Sequence, residues 1–107
     1  MKAIEKMRRN GLNIDEKIIY EIVKKYKIKE LSVFGSCIRD DFNDNSDVDF
    51  IIVFQNSKEI SLFDLMDIQE FFESKLSRKV DLVEPEGLRN PIRRKNILES
   101  KEILYAA

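Results

Sequence analysis

Histidine is absent from this chain, which removes the commonest general base and the commonest transition-metal ligand together. Any metal held here is therefore expected to be a hard, oxygen-seeking ion, Mg²⁺ or Mn²⁺. Cysteine occurs once, as Cys37, so no disulfide can form within the chain, and a reducing, cytoplasmic setting is expected. No apolar run approaches the roughly 18 residues of a membrane span. The opening MKAIEKMRRNG lacks the apolar core of a signal peptide, so no membrane association is expected. Nor does charge of one sign dominate. With 19 basic and 20 acidic residues the net charge is −1, and nothing global calls for direct binding of nucleic acid.

What is present suits one compact domain over residues 1–107: 43% of residues are hydrophobic and 36% charged, with no repeat, low-complexity tract or linker. The segments alternate in type. NIDEKIIYEIVKKYK reads as a helix capped by Asn13 with Glu16 three residues on, and Ile14, Ile18, Ile22 and Tyr26 form its apolar stripe beside Ile19 and Val23. ELSVF (30–34) reads as a strand ended by Gly35, with a helical turn from Ser36. VDFIIVF (48–54) is β-branched and aromatic and reads as a buried strand. SLFDLMDIQEFFESKLS reads as a helix capped by Ser61, with Leu62, Leu65, Met66, Ile68, Phe72 and Leu76 on its core face and Phe63 also in the core. Phe71 and Phe72 should divide between core and rim. KVDLVE (79–84) is a third strand. Pro85 suits the first turn of a helix, and NPIRRKNILESK a further helix. EILYAA fits an edge strand or a frayed end. The expected architecture is an α/β (α+β) domain, a small mixed sheet with helices packed on it.

Five aspartates fall within ten residues: Asp40, Asp41, Asp44, Asp47 and Asp49. Asp40, Asp41 and Asp44 read as solvated turn charges. Asp47 and Asp49 differ, because the second sits at the head of an apolar strand. Residues i and i+2 of a strand share a face, so the two carboxylates point the same way while Val48, Phe50 and Ile52 point into the core. Asp81 is likewise acidic within an apolar strand. If that strand lies beside the second, three carboxylates converge. Unpaired, they repel; a divalent cation among them favours all three charges. Such a site can hold two ions about 3.5–4 Å apart, as in-line nucleotidyl transfer requires.

Ahead of them stands FGS. Gly35 lets backbone approach a ligand closely, Ser36 offers a hydroxyl, and the turn offers free N–H groups, together a phosphate cradle. Strand, Gly-Ser, ten residues, then Asp-x-Asp places anion donors and metal-binding acids on adjacent strand ends.

GSCIRDDFNDNSDVD thereby resembles the Gly-Ser-x10-Asp-x-Asp signature of the polymerase-beta-like nucleotidyltransferases, and RKVDLVEPEGLR resembles the segment bearing their third aspartate. The resemblance spans residues 30 to 105 and is to the minimal, antitoxin-type members paired with a HEPN-domain ribonuclease toxin. It implies the polymerase-beta-like fold, Mg²⁺ and ATP, and transfer of AMP to a tyrosine hydroxyl of the toxin. By position it implies that Gly35, Ser36 and Arg39 bind the nucleotide. Asp47 and Asp49 would bind both metals, and Asp81 would bind the catalytic metal and help activate the hydroxyl. Two departures stand out: Cys37 and Asp40 replace an arginine and a glycine common in the motif. Cys37 reads as a turn residue whose thiol the acidic surroundings disfavour ionising. The chain has no room for a separate acceptor domain, so the acceptor is expected on another polypeptide. The competing reading is a non-catalytic antitoxin that masks its partner by contact. The cluster Arg89, Arg93, Arg94 and Lys95 reads as a solvated helix face, with contact to the nucleotide or the partner protein as the second reading.

Overall fold

The computed structural model describes residues 1–107. The β-rich stretches become four strands, β1 (Ile28–Phe34), β2 (Val48–Phe54), β3 (Val80–Val83) and β4 (Glu102–Ala106). They form one sheet in the order β3-β2-β1-β4, with β2 and β3 parallel and the other pairs antiparallel. Four helices, α1 (Ala3–Arg9), α2 (Glu16–Tyr26), α3 (Leu62–Leu76) and α4 (Pro91–Ser100), pack on it. The expected mixed sheet with helices is thus observed. β2 has the bounds expected of it, β1 begins two residues earlier, and the C-terminal stretch is an edge strand on β1. Pro85 opens a single 3₁₀ turn, Pro85–Gly87, and not a helix. The helix α1 has no counterpart in the sequence reading.

The two faces of the sheet are covered unequally. One side holds a core of twenty buried residues. Met7 of α1, Ile19, Ile22 and Val23 of α2, and Ile68, Phe72 and Leu76 of α3 meet Leu31, Val33, Val48, Phe50 and Ile52 of the strands there. Phe50 and Phe72 stack at its centre, ring centroids 4.4 Å apart. The other side has only Phe34, Ile51, Leu88 and Ile97, the last from α4.

Helix ends follow local chemistry. The α2 cap is Asp15, whose carboxylate accepts from the Ile18 N–H at 2.9 Å; the expected cap, Asn13, lies two residues too early, because Ile14 is drawn into the core. Ser61 and Asp64 form a reciprocal capping box on α3. Asn90 caps α4 ahead of Pro91. On α3 the reading of Leu62, Phe63 and Met66 as core is corrected: they are 70%, 75% and 46% exposed. A helix turns one stripe to its sheet, and Ile68, Phe72 and Leu76 set it. At about 100° per residue, Leu62, Phe63 and Met66 lie roughly 120–160° from Ile68.

Candidate active site

Asp49 is where three strand-end features meet. Alternation along β2 buries Val48, Phe50 and Ile52 fully and turns Asp49 to the thinly covered face. The parallel register of β3 sets Asp81 directly opposite Asp49, and Val80 opposite Val48. On the other side the antiparallel register of β1 sets Phe34 opposite Asp49, so the Gly35–Ile38 turn leaves β1 beside that carboxylate. A Cβ on Gly35 would stand 2.6 Å from Asp49 Oδ2. Gly35 also has φ +77°, the left-handed region that glycine enters freely. Glycine is required there twice over.

The acidic row carries an electrostatic load. Burial pushes the Asp49 carboxyl up to about 6, with the charges of Asp81 and Asp47 adding to the shift and Arg93 and Arg39 partly opposing it. The chain's four ion pairs leave Asp47, Asp49 and Asp81 without one. No three acidic side chains stand close enough to make a finished metal cage. Asp47 and Asp49 are half-buried. Asp81 is exposed, which corrects the premise of a charge enclosed by an apolar strand: β3 is four residues long and lies at the edge of the sheet.

The loop from Arg39 to Asp47 is held at both ends by residues that no local pattern marks. Asn10, at the end of α1, donates to the carbonyls of Cys37 and Arg39 at 2.9 Å each, and Arg9 pairs with Asp40. Arg78, just past α3, donates to the carbonyls of Asn43 and Ser46 and stacks over the Phe42 ring at 4.3 Å. Asp40, Asp41 and Asp44 are exposed, as expected of turn charges. Arg39 is bound to Asp41 through Nε and Nη2 at 3.0 and 3.2 Å, and the guanidinium holds the Asp41 carboxyl below its ordinary range. Cys37 is fully buried with Sγ 3.5 Å from the Phe34 carbonyl. Burial, more than the nearby Asp49 charge, pushes its thiol up to about 11, which disqualifies it as a nucleophile at neutral pH.

Residues 15–104 match the family model described as the nucleotidyltransferase domain. The chain belongs to that family. As an enzyme this nucleotidyltransferase is similar to the protein adenylyltransferase MntA of Thermococcus cleftensis, 32% identical over 79% of this chain and 81% of the relative. Among solved structures it resembles a toxin–antitoxin complex with AMP-PNP, with a TM-score of 0.69 and 18% identity over 88% of this chain and 75% of the other. A tri-AMPylated Shewanella oneidensis HEPN toxin in complex with an MNT antitoxin gives a TM-score of 0.59 and 18% identity, over 94% and 73%. At that identity both structural likenesses show the fold alone.

The sequence reading missed Arg78 and Asn10. The partners of Arg78 lie more than thirty residues earlier, so only the fold joins them. Asn10 had a faint signal, an asparagine before a glycine at a helix end.

Proposed function

We propose that this nucleotidyltransferase transfers AMP from ATP to a tyrosine hydroxyl of a HEPN-domain toxin, in the cytoplasm, and so acts as its antitoxin. The observation that carries this reading is the register that puts Asp49 level with Asp81 and against Gly35. The similarity to a named protein adenylyltransferase, and to complexes of a toxin with its antitoxin, supports both the donor and the kind of acceptor.

The donor set fits Mg²⁺: oxygen ligands only, no histidine anywhere, and a row of carboxylates that makes no ion pair. Asp47, Asp49 and Asp81 are the residues that would hold such ions. Bound there, Mg²⁺ supplies positive charge to the phosphates and favours the ionised form of an attacking hydroxyl. Gly35 lets the triphosphate come against backbone, Ser36 donates its hydroxyl, and Arg39, at the end of the same turn, would exchange its Asp41 partner for a phosphate. Asp81, the exposed member of the row, stands where a hydroxyl arriving from solvent is received and oriented. The half-buried Asp49 keeps the inner end of the site fixed through packing of its strand.

The test is incubation with α-labelled ATP, Mg²⁺ and the partner toxin. Label should appear on the toxin and vanish when its acceptor tyrosine is changed to phenylalanine. Tight co-purification without label would replace catalysis by masking through contact. A thermal melt complements it. ATP and Mg²⁺ together should stabilise the chain by about 2.7 kcal/mol at a hundredfold excess over Kd, and neither should do so alone. A full rise with ATP plus EDTA would show that these carboxylates are not metal ligands.

A further inference from the structure

The basic residues of α4 are not equivalent. Ile97 is buried against Phe34 and Ile51, which fixes the side of α4 that faces the sheet. Arg93 precedes Ile97 by four residues, one helical turn, and lies on that same side. On β2, Asp49 precedes Ile51 by two residues and lies on the same face. Arg93 is thereby on the side of α4 turned to the sheet face that carries the acidic row, and its charge reaches the Asp49 carboxylate. Arg94 is committed elsewhere, donating from Nη1 to the Pro85 carbonyl at 2.7 Å and anchoring the start of the helix. Lys95 lies roughly 200° around the helix from Arg93, on the far side. Arg93 is exposed and belongs to none of the chain's four ion pairs, so its guanidinium is free to turn.

We propose that Arg93 binds the β- and γ-phosphates of the incoming nucleoside triphosphate. This rests on the nucleotide site proposed above and extends it to the opposite wall. The Gly35–Ser36 turn lies on the β1 side of Asp49, while Arg93 approaches from α4 over the same carboxylate. A triphosphate held at that turn would lie between the two. Having no ion pair to break, the Arg93 guanidinium can present its planar fork of donors to phosphate oxygens. The shared chemistry is recognition of a polyphosphate tail, so a nucleoside monophosphate should be indifferent to Arg93.

Equilibrium binding of Mg²⁺–AMP-PNP and of AMP, measured by calorimetry, tests this on wild type, R93Q, R93K and K95Q. R93Q should weaken AMP-PNP about 10- to 100-fold, the loss of charge-assisted hydrogen bonds, and leave AMP within about twofold. K95Q removes the same charge from the far side and should leave both ligands within about twofold. R93K should recover part of the loss. The inference is overturned if R93Q binds AMP-PNP as wild type does, if R93Q and K95Q weaken it equally, or if AMP weakens as much as AMP-PNP. Wild type that fails to bind Mg²⁺–AMP-PNP overturns the proposed function as well. Wild type that binds it while R93Q is unaffected overturns the role of Arg93 alone.

Discussion

The two faces of β2 are built from the same seven residues and meet opposite ends. On one, Val48, Phe50 and Ile52 are sealed under α1, α2 and α3. On the other, Asp49 stands beside Asp81 under a single short helix, with only Ile51 joining a four-residue apolar cluster. The closed face supplies stability. The open face spends some of it, because half-buried like charges with no ion pair disfavour folding. A strand can carry both only because alternate side chains point opposite ways and the packed side is large enough to hold the backbone of the charged side still.

The sharpest way to break that division is Asp49→Asn. It should cut AMP transfer by roughly a thousandfold or more, since metal-bound charge stabilisation is worth several kcal/mol, while circular dichroism shows an unchanged fold. Near-normal transfer would remove Asp49 from the site. The reciprocal change, Phe50→Ala, attacks the closed face from the neighbouring residue. It should cost about 3–5 kcal/mol of unfolding free energy by urea titration. The transfer rate per folded molecule should fall far less than in Asp49→Asn. Equal losses of activity per folded molecule would mean that the two faces are not separable.

Gly35→Ala sharpens the contact between turn and carboxylate. Gly11 provides the control, because it too has a positive φ, +83°, but open space around its Cα. Both alanines should pay the left-handed penalty of about 1–2 kcal/mol. Only the one at position 35 must also displace Asp49, and only it should lose binding of Mg²⁺–ATP. Equal nucleotide affinity in the two variants would show that Gly35 serves backbone conformation alone.

The smallest effect is in pH. With its carboxyl pushed up to about 6, Asp49 holds its proton more tightly in the folded chain than in the unfolded one. Without metal, stability should therefore fall as pH rises from about 4 through about 6. The loss at pH 7 should be about 1 kcal/mol, discounted because the group is only half-buried. Asp49→Asn should abolish that slope and melt slightly higher at neutral pH. A rise in stability attributable to Asp49 across the same interval would reverse the assigned sign.

Much of this was legible in order of strength of local pattern. VDFIIVF has the bounds of β2, Ser61 is the α3 cap it reads as, and Gly-Ser, ten residues and Asp-x-Asp pointed to carboxylates beside a phosphate turn. Amphipathic reading failed where both sides of a helix are apolar in sequence: Leu62, Phe63 and Met66 look like core residues, and only the seating of α3 through Ile68, Phe72 and Leu76 turns them outward. The cap of α2 failed for a related reason. Asn13 and Asp15 are both good caps, and burial of Ile14 decides between them.

What the sequence by itself determined is local: which segments extend or coil, which side of β2 is apolar, and that a glycine and two aspartates stand at adjoining strand ends. Periodicity and turn chemistry act between residues a few positions apart, so they can be read from the chain. That Asp81 lies level with Asp49, that Arg78 and Asn10 clamp the acidic loop, and that Arg93 shares the sheet-facing side of α4 with Ile97 was decided only by tertiary structure. Those relations depend on strand register and helix rotation, which are set by the burial of residues such as Val80, Phe72 and Ile97 tens of positions away, where side-chain packing fixes distances that spacing along the chain does not encode.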